Sequence, residues 1–133
     1  MSVRFLRRDG SPTKSIATGE PLVIEVGFRA VTRVSNANFT VAFYSIGGEL
    51  MAGHSMALDN YPTQTLEGEG SVRVYFDRIA FLPGPLMVSV GIFDEDGLSP
   101  YDWHQQRYRL DIEPGEIATG LIHLAHHWEV RPQ

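Results

Sequence analysis

The sequence predicts an all-β fold, an Ig-like antiparallel β-sandwich, on three observations. Apolar and polar residues alternate in several runs, turn-forming residues separate those runs, and no convincing amphipathic helix is present. The first run, LVIEVGFRA, puts Leu22, Ile24, Val26, Phe28 and Ala30 on one side of a strand and Val23, Glu25, Gly27 and Arg29 on the other. NFTVAFY repeats the pattern with Phe39, Val41 and Phe43, SVRVYFD with Val72, Val74 and Phe76, and PLMVSVGIF with Leu86, Val88, Val90 and Ile92. Between them lie Gly19 to Pro21, Gly47-Gly48, Gly68 to Gly70, Pro83-Gly84-Pro85 and Asp96-Gly97. Gly47-Gly48 predicts a tight hairpin, because glycine accepts the positive φ of primed turns. A further strand runs through Tyr108, Leu110 and Ile112, Glu113-Pro114-Gly115-Glu116 breaks it, and a last apolar segment over 117–130 reads as a C-terminal strand.

The 133 residues suit one domain, 1–133, with one core. A net charge of −5 disfavours non-specific attraction to nucleic acid or an anionic membrane, so no nucleic-acid partner is expected. The lack of cysteine excludes disulfides and thiolate chemistry and fits a reducing, cytoplasmic setting. Positions 1–20 hold Arg4, Arg7, Arg8, Asp9 and Lys14 without a continuous apolar run, so no signal peptide is read there, and no window is apolar enough to span a bilayer.

The stretches TGEPLVIEVGFRA, NFTVAFYSIGGEL, LEGEGSVRV, LPGPLMVSVGIFD and YDWHQQRYRLDI, in this order and spacing, resemble the C-terminal carbohydrate-binding domain of the Wzt-type ATPase subunit of O-antigen ABC exporters. The resemblance runs from about Val3 to Trp128. It implies an Ig-like sandwich that recognises a completed or end-modified polysaccharide on the cytoplasmic side before export. The implied partners are the polysaccharide and the nucleotide-binding domain and membrane subunit of the exporter. The only lysine, Lys14 in PTKS, follows no glycine-rich loop, so this chain carries no P-loop and no ATP or other cofactor is expected. An excised domain is the simplest reading, and a free-standing sugar-binding protein is the alternative.

With Leu86, Val88, Val90 and Ile92 in the core, Met87, Ser89, Gly91 and Phe93 face outward. On the next strand Trp103, Gln105, Arg107 and Arg109 face outward, with a bulge able to reverse the register near Trp103. NFTVAFY contributes Asn38, Thr40, Ala42 and Tyr44, and the hairpin arm adds Glu49 and Met51. If these strands adjoin, Ala42, Ser89 and Gly91 form a shallow floor flanked by Tyr44, Phe93 and Trp103. Tyr101 sits at the rim, and Gln105 and Arg107 supply hydrogen bonds to hydroxyls. Pyranose C–H faces pack on aromatic rings, and an unmatched buried hydroxyl costs about 1–3 kcal/mol. The competing reading has the same aromatics covering an open end of the sandwich, in a structural or protein-interaction domain without a glycan.

Other constellations are weaker. Arg29, Arg73, Tyr75 and Asp77 on the opposite sheet read as a solvated face of paired charges. His123, His126 and His127 do not share one face of a strand, and Asp94, Asp96 and Asp102 lack the spacing of a calcium loop, so no metal site is expected. Asp77, Asp94 and Glu25 are candidate glycosidase carboxylates with nothing nearby to perturb them, and no Gly-x-Ser-x-Gly elbow occurs, so no enzyme is expected. The 117–130 strand, behind its proline-bearing hinge, either closes its own sheet or exchanges into a second copy, which predicts a homodimer.

Overall fold

A computed structural model describes residues 1–131; the last two positions of the expected 1–133 domain lie outside the described residues. Eight strands form two sheets that share one long strand. β1 (Ser2–Leu6), β2 (Pro12–Thr13), the first half of β4 (Leu22–Ser45) and β6 (Gln64–Phe76) make one sheet. β5 (Leu50–Ser55), the second half of β4, β7 (Gly84–Phe93), β8 (Pro100–Glu113) and β3 (Ser15–Ala17) make the other. Pairing is antiparallel except between β3 and β8. The sandwich class read from the sequence holds.

The runs around Val26 and Phe39, expected as separate strands, are the two halves of β4, which is 24 residues long. The chain changes sheet without a true loop because β6 follows it past the corner. Ala30, Val34 and Ala37 pair with Gly68, Leu66 and Gln64 across two register irregularities, and Asn36 takes a left-handed φ of 56° at the corner. Asn is the non-glycine residue best suited to that region.

The core lies between the sheets. Phe43, 1% exposed, meets the edge of Phe76 at 5.4 Å and tilts against Phe81 at 5.3 Å. Phe28 and Phe39 contact across the other end at 6.0 Å. The expected inward sets are buried: Leu22, Ile24 and Val26 from β4, Val88 and Val90 from β7, Leu110 and Ile112 from β8. The Gly47-Gly48 hairpin also forms, with the Gly48 N–H donating to the Ser45 carbonyl and Gly48 at φ 90°.

Within one chain the expected 117–130 strand does not join a sheet: among the described residues a single bridge, Phe81 to Ile122, is its ladder contact. After β8 the chain turns tightly over Thr18, whose carbonyl accepts from the Glu116 N–H, and then follows the connector Ala80–Leu82. That connector is too short to template a strand. Ile117, Leu121, Leu124, Trp128 and Val130 therefore stay in solvent, Trp128 at 89% exposure.

Candidate functional site

The outer face of the second sheet carries the row the alternation predicts. Across β4 and β7, Ala42 pairs with Ser89, Thr40 with Gly91, Asn38 with Phe93, and Tyr44 with Met87; across β7 and β8, Gly91 pairs with Trp103. β5 extends the floor, with Gly53 opposite Ala42 and Ser55 opposite Thr40. Small side chains thus run across three strands, which leaves the face shallow.

Phe93 and Trp103 close one end as an edge-to-face pair, centroids 5.2 Å apart at 65°. They lean over Gly91: a Cβ there would stand 2.5 Å from Phe93 Cε2 and 2.5 Å from Trp103 Cε3. Glycine at 91 is what lets both rings lie down on the sheet. Gly91 is consequently buried beneath the rings rather than open to a ligand. Half-buried Tyr44 and the exposed hairpin turn mark the opposite end.

The β8 border is a bulge. Val88 faces Tyr108 and Val90 faces His104, so four residues of β8 span the interval that two span on β7. The excess of two keeps the parity on either side of the bulge, so Trp103 and Arg109 stay on the outer side and the register is not reversed, while within the bulge Arg107 lies beside the Tyr108 hydroxyl. Gln105 and Arg107 are exposed on this protrusion. Gln106, at φ 44°, donates its backbone N–H to the fully buried Ser89 Oγ at 2.7 Å. Its side-chain oxygen would lie 4.0 Å from a Cβ at Gly48, so it reaches along the face toward the hairpin.

Tyr44, Ser89, Gly91, Phe93 and Trp103 are thus brought to one face, with Gln105 and Arg107 on its border. Met51 is not brought in: it falls in the irregularity opposite Tyr44 and packs against the core edge. Tyr101 sits at the end of the sandwich, lining a cavity of about 300 Å³ with Phe28 and Val34. Gln106 is the residue the alternation missed, and Asn38, expected on the outer face, is there but covered. Asn38 is 3% exposed, and its Oδ1 accepts from the Ala57 N–H, tying the loop after β5 to the face. The excess residues of β8 become visible only once its partner on β7 is known.

The acidic turn is structural. Asp94 Oδ1 accepts the N–H groups of Leu98 and Ser99. On the opposite sheet Glu25 takes hydrogen bonds from Arg4 at 2.6 Å and Arg73 at 2.8 Å, which hold its carboxyl below the usual carboxylate range. Arg29 meets Glu69 at 3.8 Å. That face is one of paired charges.

A cleft of about 660 Å³ opens between the free edges of β5 and β6, with Phe39, Val41, Met56, Val72 and Val74 in its wall and Arg73 and Tyr75 at its mouth. Nothing in the alternation signals it, because it arises from the absence of a strand between those two edges.

Fold and site together define the class: an Ig-like β-sandwich domain presenting a shallow, aromatic-ended sheet face. The Wzt C-terminal domain family model matches residues 1–124, and the chain belongs to that family. Membership supports a role in an O-antigen ABC exporter. The crystal structure of the C-terminal domain of Wzt superposes with a TM-score of 0.86 at 11% sequence identity, covering 98% of this chain and 81% of that one. No curated protein sequence matches the chain.

Proposed function

We propose that this domain binds an O-antigen-type polysaccharide, at its chain end or a terminal modification, and thereby selects it for export by an ABC transporter. The observation that carries the reading is the Phe93–Trp103 pair laid over Gly91, beside a floor of small residues and the Gln105–Arg107 protrusion. The edge-to-face rings offer C–H stacking surface to a pyranose, and the exposed amide and guanidinium groups reach its hydroxyls. The floor is shallow enough for a chain to lie along it. The domain acts by binding, without catalysis, at the cytoplasmic face of the membrane beside the exporter's nucleotide-binding and membrane subunits.

The test is an NMR chemical-shift titration with the source organism's own O-polysaccharide and with an unrelated one, on the wild type and Trp103→Ala. Saturable shifts around Tyr44, Phe93 and Trp103, given by the cognate polymer alone and lost in the variant, support the reading. A folded protein that shows no shifts refutes it, and the domain is then an interaction module without a glycan.

The partner state proposed is a homodimer in which residues 117–130 exchange between copies. Ile122, Leu124, Trp128 and Val130 fall at alternate positions, interrupted by His126, and Leu124, Trp128 and Val130 are exposed within one chain. The cleft between β5 and β6 offers an apolar wall and a free strand edge that suit it. Two glycan sites in one dimer gain avidity for a long polymer. Light scattering that gives a monomer across a wide concentration range overturns the dimer.

A further inference from the structure

Beneath the β8 protrusion, on its core side, three side chains form a relay. His104 Nε2 stands 3.3 Å from Asp102 Oδ1, and His104 Nδ1 stands 2.5 Å from the Tyr108 hydroxyl. The imidazole is 12% exposed and its ring lies 5.8 Å from that of Tyr108. The approach of Asp102 Oδ1 favours the tautomer protonated at Nε2, in which Nδ1 accepts from the Tyr108 O–H. His104 and Tyr108 are the residues that flank the bulge, so their hydrogen bond closes its base from inside. From outside, Ser89 Oγ holds the Gln106 N–H. A non-glycine residue keeps a positive φ such as that of Gln106 only where its surroundings over-determine it.

We propose that the Asp102–His104–Tyr108 relay is a clasp that sets the conformation of the β8 bulge, making His104 and Tyr108 positioning residues for Gln105, Gln106 and Arg107 at the glycan face. The proposal deepens the glycan reading and rests on it for the ligand. Neither side chain touches the ligand: both lie on the opposite side of the sheet from Trp103. Their role is to keep the protrusion preformed, so that its conformational entropy is not lost again when a sugar binds.

The test follows hydrogen exchange at the Gln106 amide alongside polysaccharide affinity in the full chain. Tyr108→Phe keeps the ring and removes the donor. His104→Gln moves its polar group toward the Nε2 position and abandons Nδ1, whereas His104→Asn keeps an acceptor near Nδ1. Tyr108→Phe and His104→Gln are expected to speed Gln106 exchange at least tenfold and weaken binding of the cognate O-polysaccharide at least fivefold, with Ile24 and Val26 amides unchanged. His104→Asn is expected to recover most of both. Unchanged Gln106 exchange, acceleration of all amides together, or failure of His104→Asn to rescue each overturns the clasp. If the wild type binds no polysaccharide, the glycan reading fails, and the exchange data alone decide whether the clasp sets the bulge.

Discussion

Gly91→Ala puts the proposed glycan face under direct test. The added methyl would stand 2.5 Å from an atom of each ring, 3.0 Å from Trp103 Cζ3, and well inside van der Waals contact. Both contacts are ring edges anchored on strands, so at least one ring must tilt off the sheet. Overpacking of this kind costs about 1–3 kcal/mol, and separating the edge-to-face pair forfeits a further ~0.5–1.5 kcal/mol. Replacing glycine by alanine within a strand returns about 0.5–1 kcal/mol. The steric effect wins, and a net loss of about 0.5–4 kcal/mol, near 2 at its centre, leaves a domain of ordinary stability folded. With an m-value of about 2 kcal/mol/M, the urea midpoint falls by roughly 1 M. Trp103 emission, read in a Trp128→Phe background so that one indole reports, should shift red as the ring lifts. Affinity for the cognate polysaccharide should fall at least tenfold, about 1.4 kcal/mol. An unchanged midpoint, emission and affinity would show that the rings do not rest on Gly91.

Other perturbations probe the rest of the molecule. Phe43→Ala, which empties the space between Phe76 and Phe81, should cost about 3–5 kcal/mol by chemical denaturation. Glu25 has a folded-state acidity strengthened by Arg4 and then Arg73, so its stabilisation is present above the unfolded carboxyl's pKa and lost as pH falls through the lower folded value. The stability gap between wild type and Glu25→Gln should therefore close on acidification, as urea midpoints from neutral to acid pH will show. Burial pushes the Tyr108 hydroxyl up, opposed by Arg107, so its contribution holds below the unfolded tyrosine pKa and fades as pH rises through the folded value. Tyr108→Phe should flatten the alkaline limb of the stability curve. Trp128→Ser should weaken the proposed dimer without lowering the denaturation midpoint of the isolated domain, as sedimentation and urea titration together will test.

The inward faces were legible because burial on one side of a sheet imposes a period of two, and Leu22, Ile24, Val88 and Leu110 obey it. The outer row could be read for the same reason, since fixing Val88 and Val90 inward fixes Ser89 and Gly91 outward. What alternation could not supply is pairing. The β8 bulge is a difference between two strands, so neither sequence alone contains it, and Gln106 was passed over. The continuity of β4 was hidden because Val31 to Asn36 break the pattern as a loop would, although β6 accompanies them round the corner. Met51 and Tyr101 were misplaced by local irregularities at Tyr44 and at Phe93 that only the ladders reveal. At the C-terminus the apolar pattern was visible but its partner was not, because a strand needs an edge and the chain's nearest one is a short connector.

The two outer faces of the sandwich divide the work by chemistry. On the first sheet, Arg4, Arg73, Glu25, Arg29 and Glu69 satisfy one another, so little hydrogen-bonding capacity is left to aim at a ligand. On the second sheet the charges withdraw to the border and the centre is nearly free of long side chains. Ala42 and Ser89 are buried and Gly53 carries no side chain, so under the proposed reading discrimination comes from the groups that stand around them. Of those surroundings, the Phe93–Trp103 pair fixes an apolar plane, while the β8 protrusion carries the adaptable polar groups. Exchanging Gln105–Arg107 for the corresponding residues of a relative with a different glycan should transfer preference, whereas exchanging Arg29 or Arg73 should not. Paired titrations with both polysaccharides would decide it, and transfer by the first-sheet exchange would place recognition on the wrong face.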